Sequence, residues 1–197
     1  MGAPVTDPGL LVGPDGRVRC GWAGSAPEYL AYHDTEWGRE LRGDRAMFER
    51  LSLEAFQSGL SWITILRKRE AFRAAFRGFD LEAVAAFGDG DVRRLLDDTG
   101  IVRNRAKIEA TIANARAALD LEGSLGELVW SFAPPARRAV PRTSADVPAT
   151  SPESLAMAKE LKRRGFRFVG PTTAYALMQA TGMVDDHLAD CWVRGVG

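Results

Sequence analysis

The chain of 197 residues contains two cysteines and two histidines, and all four lie toward its ends. Cys20 and His33 fall near the start, His187 and Cys191 near the finish. His187 and Cys191 are four apart, so on a helix they would share one face. Two thiolates and two imidazoles are the donor set of a closed, tetrahedral and therefore structural zinc site. One such ion would clip both ends of the chain together and restrain the unfolded state. The C-terminal spacing matches no standard zinc finger, and cysteines are often merely buried, so spacing alone leaves a metal-free packing open. A disulfide suits the cytoplasm poorly.

A second group of residues could hold a flat ring. One block reads Tyr29-Leu-Ala-Tyr32-His33-Asp34-Thr-Glu36-Trp37, and another Leu53-Glu54-Ala55-Phe56-Gln57-Ser58-Gly59-Leu60-Ser61-Trp62. Glu54 falls inside an apolar helical stretch, where a carboxylate is costly to bury without a partner. Among aromatic rings it would have a raised pKa, or would await a cationic or hydrogen-bond-donating ligand. Tyr32, Trp37 and Trp62 could wall a slot for such a ligand. The alternative puts Glu54 on the surface at a helix end and the aromatics in the core.

A third group could bind an anion. Gly165 and Gly170 bracket a short apolar turn, and Pro171 can start a helix directly after it. Free N–H groups at that helix start can take a phosphate, and Gly170 lets it approach without a Cβ in the way. Lys162, Arg163, Arg164 and Arg167 stand beside this point. An ordinary helical hairpin with a solvated basic face fits the same residues.

These groups need elements to position them, and the patterning is helical. Asp44, Ser61 and Asp80 can cap helices, the first carrying Met47, Phe48, Leu51, Ala55 and Phe56 at helical spacing. Residues 91–98, 104–121 and 125–132 read as three more. Ser151-Pro152-Glu153 starts another, to about Arg164, and Pro171 the next, so a helix–hairpin–helix spans about residues 155–181. Residues 1–18, with Pro4, Pro8 and Pro14 among four glycines, read as a flexible tail, and 134–148 as a proline-rich loop. No alternating strand pattern of useful length stands out, and there is no internal repeat. The expected fold class is all-α, a single helical domain over residues 19–197.

Composition narrows the function. An apolar fraction of 46% with 26% charged residues excludes a largely disordered chain. No apolar run of about 18 residues exists to span a membrane, and the N-terminus does not read as a secretory signal, so the cytoplasm is expected. The formal net charge is zero, with 26 basic and 26 acidic residues. That average hides an excess of five positive charges between Arg137 and Arg167 and of three negative charges over residues 1–61. A local basic region of this kind predicts salt-dependent binding to nucleic acid.

In combination these blocks resemble the 3-methyladenine DNA glycosylase I family, the constitutive alkylation-repair enzymes of bacteria. The resemblance rests on Arg19-Cys20-Gly21-Trp22, Tyr32 to Gly38, Leu53-Glu54, Gln57 to Trp62, Gly100 to Ile108, Val129-Trp130-Ser131-Phe132, Lys162 to Gly170 and Asp186-His187. Covering about residues 19–192, it implies a helix–hairpin–helix glycosylase fold with one structural zinc, held by Cys20, His33, His187 and Cys191. It implies that Glu54, aided by Tyr32, hydrogen-bonds the damaged adenine, that Trp62 stacks on the flipped base, and that Trp22 and Trp37 lie at or near the pocket. Gln57 and Leu60 become candidates to fill the gap left in the DNA stack. Double-stranded alkylated DNA is the implied partner and a monomer the implied state. Many related glycosylases place a catalytic Asp in a Val-Asp-x-His setting, and here Val184-Asp185-Asp186-His187 makes Asp185 either an electrostatic helper or a helix cap beside a metal ligand. The helix after the hairpin has no lysine to form a Schiff base, so a monofunctional enzyme is expected.

Overall fold

Eight of the helical patterns, with one further helix, make up the nine α-helices of a computed structural model, which describes residues 9–135 and 139–195. They are α1 (Pro27–Thr35), α2 (Asp44–Gln57), α3 (Trp62–Ala75), α4 (Leu81–Ala85), α5 (Asp89–Asp97), α6 (Arg105–Leu119), α7 (Leu125–Trp130), α8 (Pro152–Arg163) and α9 (Pro171–Ala180). Side-chain caps set several starts. Asp80 accepts from the Ala83 N–H, Asn104 from Lys107 and Ser151 from Ser154, each meeting a donor the helix cannot satisfy itself.

Asp44 departs from its expected role. Gly43 holds the cap position of α2, and the Asp44 carboxylate instead accepts from Ser124 Oγ and, at 2.9 Å, from the Gly126 N–H. It thereby ties the start of α2 to the start of α7. Those hydrogen bonds hold its pKa below the usual carboxylate range although burial opposes them. Asp44→Ala is expected to cost about 1–2 kcal/mol, as a lower denaturant midpoint with unchanged slope.

Two elements escaped the pattern. Leu10–Val12 (β1) pairs antiparallel with Val18–Cys20 (β2), Leu10 lying opposite Cys20. The prolines and glycines that read as breakers make the turn: Gly13 N–H donates to Arg17 O, and Gly16 adopts φ +75°. Leu10 packs against Cys20, Leu188, Cys191 and Val193, which gives the strand an apolar anchor. The expected tail is therefore ordered from Gly9 onward, and its residues 1–8 lie outside the described residues. The other element is α1, begun by Pro27 in its first turn; its mixed polar and aromatic sequence has no apolar stripe to reveal it.

Where a single domain was expected, contacts within the chain form two compact units, both discontinuous in sequence. The first comprises Met1–Glu40, Pro134–Ala149 and Met178–Gly197; the second comprises Leu41–Ala133 and Thr150–Leu177. Because each unit collects distant segments, no linker composition marks a boundary. In the second unit Phe48, Phe56, Phe72, Phe76 and Phe79 are fully buried, with Phe56 and Phe72 ring centres 4.6 Å apart. Residues 51–56 of α2 are all buried, so this helix is covered on every face. That placement takes Glu54 out of water.

Candidate metal centre and base-binding residues

Cys20, His33, His187 and Cys191 converge in the first unit, their ligand atoms all within 4.8 Å of one another. All four are buried. Cys191 Sγ lies 3.4 Å from His33 Nε2 and 3.7 Å from His187 Nδ1, and Cys20 Sγ lies 3.9 Å from His187 Nδ1. The edges of a tetrahedral zinc site with sulfur and nitrogen ligands are about 3.3–3.8 Å, so set and spacing fit a metal ion.

The surroundings orient both rings. Asp34 Oδ1 lies 2.9 Å from His33 Nδ1, which places the proton there and leaves Nε2 to face the sulfurs. Asp34 also accepts from Arg19 Nη2 at 2.8 Å and from Trp192 Nε1 at 3.3 Å. Arg19, only 2% exposed, pairs as well with Asp15 at 2.7 Å. Burial works against the Asp34 charge, yet the Arg19 hydrogen bonds hold its pKa below the usual range. His187 Nε2 lies 3.2 Å from the Trp37 carbonyl oxygen. An Asp directly after His33 is a signal visible in the sequence, whereas the burial of Arg19 needs the fold.

Asp185 sits at the turn that delivers His187. Its Oδ1 accepts from the His187 N–H at 3.2 Å and its Oδ2 pairs with Arg194 at 3.5 Å. Trp22, Tyr32 and Trp37 also lie in the first unit and touch one another. Trp22 meets Trp37 with ring centres 5.1 Å apart and Tyr32 at 6.4 Å, while Trp37 meets His187 at 4.6 Å edge-on. The metal-ligand cluster and these aromatics therefore share one packing unit.

In the second unit Glu54 is 5% exposed on α2. Among the described residues no hydrogen bond reaches its carboxylate. Burial raises its pKa to about 7, and only the Arg50 charge, one turn earlier, works the other way. The Arg50 guanidinium also lies 5.5 Å from the ring centre of Trp62, the half-buried first residue of α3. Arg50 is 7% exposed, a buried cation the sequence reading did not single out.

The turn between α2 and α3 presents Gln57, half-buried, then Ser58, Gly59 and Leu60, all exposed. Gly59 adopts φ +81°, and Leu60 is an exposed large apolar residue at 43%. Ser61 occupies the cap position of α3 but turns its hydroxyl to Thr64 Oγ1, 2.9 Å away.

Between α8 and α9 the chain reverses through Gly165, at φ +93°, with Phe166 and Val169 buried beneath. Lys162, Arg163, Arg164 and Arg167 are exposed, as the sequence predicts. Arg163 and Arg164 both engage Glu160 at 2.7 Å, so part of the local positive charge is already matched. A Cβ built on Gly170 would meet nothing within 4 Å, which leaves the start of α9 open to an approaching group. Phe168, 41% exposed and at φ +55°, also stands on this reversal. Arg137 and Arg138, counted in the basic region, lie outside the described residues. Among the described residues no helix is long and apolar enough to cross a membrane.

The chain is similar to known proteins over most of its length. A family model, methyladenine glycosylase, matches residues 22–194. The chain is 47% identical over 179 residues to DNA-3-methyladenine glycosylase 1 of Escherichia coli (strain K12), covering 88% of this chain and 95% of that protein. A crystal structure of 3-methyladenine DNA glycosylase I superposes with TM-score 0.86 at 47% identity, covering 89% of this chain and 99% of that one. A tyrosine-to-phenylalanine variant of a 3-methyladenine DNA glycosylase I, in complex with 3-methyladenine, superposes with TM-score 0.84 at 34% identity, covering 89% and 97%. On matches of this extent, the chain belongs to the methyladenine glycosylase family.

Proposed function

We propose that this protein removes 3-methyladenine from alkylated double-stranded DNA, hydrolysing the N-glycosidic bond and leaving an abasic site. The observation that carries the reading is Glu54, a carboxylate almost withdrawn from water, with no hydrogen-bond donor among the described residues and Trp62 eight residues on. Such a group is costly unless a ligand completes it. An adenine methylated at N3 is cationic and carries an amino donor, and both properties complement an ionised Glu54.

The chemistry needs few groups. As the bond between C1′ and N9 breaks, its electron pair leaves with the base, which becomes neutral, and positive charge passes to the sugar. Water adds to C1′ and releases a proton. The protein's part is to extrude the base, stack it on Trp62 and read its edge with Glu54, aided by Tyr32. Trp22 and Trp37 match family aromatics at or near the base pocket in this reading. Gln57 and Leu60 fill the gap in the duplex. The α8–α9 segment acts as a helix–hairpin–helix that grips backbone phosphate at Gly170, with Lys162, Arg163, Arg164 and Arg167 beside it. Asp185 serves as the cap of the His187 turn, since both its oxygens are engaged there. With no lysine in α9 for a Schiff base, the strand stays uncut.

In this reading Cys20, His33, His187 and Cys191 hold one zinc ion, which supplies structure and no chemistry on the base. Asp34 orients His33 for it. Asp34→Ala is expected to weaken zinc binding by about 10–100-fold, measured by competition with a chromogenic chelator.

The function is tested by incubating purified protein with methylated duplex DNA and separating the released bases. Free 3-methyladenine is expected, with strands that break only after alkali. A strand cut without alkali would contradict the monofunctional assignment.

A further inference from the structure

Helix α6 carries a buried polar face that the proposed reaction does not use. Lys107, Thr111 and Asn114 follow at helical spacing, at 7%, 1% and 1% exposure. A lysine is rarely buried without a specific partner. The Lys107 ammonium donates to the Phe56 carbonyl at 2.8 Å and to the Ser58 carbonyl at 2.6 Å. Between them the Gln57 carbonyl accepts from the Leu60 N–H at 2.6 Å. Three consecutive carbonyls at the end of α2 are thus tied down, in a turn whose Ser58, Gly59 and Leu60 are exposed. Two turns along α6, the Asn114 side chain grips the backbone of Arg167 from both sides. Its Oδ1 accepts from the Arg167 N–H at 2.7 Å, and its Nδ2 donates to the Arg167 carbonyl at 3.1 Å. Thr111 returns its hydroxyl to the Lys107 carbonyl at 3.0 Å and completes the stripe.

We propose that the buried polar face of α6 positions both DNA-facing loops, Lys107 holding the α2–α3 turn and Asn114 the α8–α9 reversal. Lys107 and Asn114 are positioning residues: they touch backbone only, and act through Gln57, Leu60 and the hairpin. A turn that must enter a base stack has to resist being pushed back, and a fixed ammonium at a helix C-terminus, where carbonyls lack partners, supplies that resistance. One rigid helix carrying both clamps keeps the wedge and the phosphate grip at constant spacing. This inference rests on the proposed wedge role of Gln57 and Leu60.

The test compares excision of 3-methyladenine from two duplexes of one sequence, with the lesion opposite thymine or opposite an abasic analogue. An unpaired lesion needs less help to leave the stack. Leu60→Ala and Lys107→Met are each expected to lower the paired-to-unpaired rate ratio by about tenfold. Lys107→Arg keeps the charge but must shift the turn to fit, and an intermediate ratio is expected. Binding of free 3-methyladenine, followed by tryptophan fluorescence, reads the base pocket without the wedge and is expected to survive in all three. If Leu60→Ala leaves the ratio unaltered, the wedge reading itself fails. If Leu60→Ala lowers it while Lys107→Met and Lys107→Arg do not, the wedge stands and the role of Lys107 is overturned. Should Lys107→Met fail to fold, an unaltered ratio in Lys107→Arg is enough to overturn it. Asn114→Ala is expected to act mainly on KM for duplex DNA, and a loss confined to kcat contradicts its part.

Discussion

Glu54→Gln is expected to slow 3-methyladenine release by about a hundredfold, the largest effect of any conservative substitution in the second unit. A charge-assisted hydrogen bond to a buried partner contributes about 1.5–3 kcal/mol, and each 1.36 kcal/mol is about tenfold in rate. The amide keeps the shape of the side chain but loses the charge that complements a cationic base. The pH profile separates these contributions. Burial raises the Glu54 pKa to about 7, so in the free enzyme the ionised fraction grows through neutrality. Wild-type kcat/KM is expected to rise with pH through about 7, and the rise to vanish in Glu54→Gln.

The same substitution has an opposite signature in stability. The folded protein binds the Glu54 proton more tightly than the unfolded chain, whose value is near 4.5. Stability is therefore lost as pH rises from that value to about 7 and stays lost above it. The cost is about 3 kcal/mol, since one pKa unit corresponds to about 1.36 kcal/mol. Glu54→Gln is expected to unfold at a higher temperature than the wild type at about pH 8, with the advantage shrinking in acid. A variant that is more stable and less active marks a residue kept for function at the expense of stability.

Removal of the proposed zinc is expected to have the second large effect. The four ligands draw β2, α1 and the C-terminal turn of the first unit to one point, and the apolar cluster around Cys20 and Cys191 is small. Structural zinc contributes about 10–16 kcal/mol in finger peptides, so even a fraction of that would dominate here. Stripping the ion with a strong chelator, or Cys191→Ser, is expected to lower the midpoint of thermal unfolding by about 10–20 °C. Base release is expected to fall in parallel and to return when zinc is added back to the stripped wild type. Metal analysis is expected to find one zinc per chain, and a protein fully stable without metal would contradict the assignment.

How far these features could be read from sequence depends on their physical range. Capping residues speak locally, so Asp80 and Ser151 mark helix starts that the structure reproduces. Asp44 looked like one of them, but its carboxylate serves a helix start eighty residues away, which no local pattern encodes. The β1–β2 hairpin has three-residue strands, too short to show alternation, and depends on an apolar anchor supplied by the other end of the chain. The division into two units is invisible for the same reason. Among candidate site residues, the Cys20, His33, His187 and Cys191 cluster was legible because cysteine and histidine are rare in this sequence. Glu54 was legible because a carboxylate interrupts an apolar stripe. Arg50 and Lys107 were not, since a cation on a helix reads as solvated until the structure shows it buried. The pairing of Arg163 and Arg164 with Glu160 likewise needed the fold, and it tempers the basic charge counted from sequence.

In the proposed reaction a buried carboxylate on α2 equips this protein to excise a cationic adenine. Its most direct measurement follows free 3-methyladenine released from one methylated duplex by metal-loaded wild type and by Glu54→Ala, side by side. Release by the wild type and a loss of about a hundredfold in the variant are expected. No release by the wild type, or equal release by both, would contradict it.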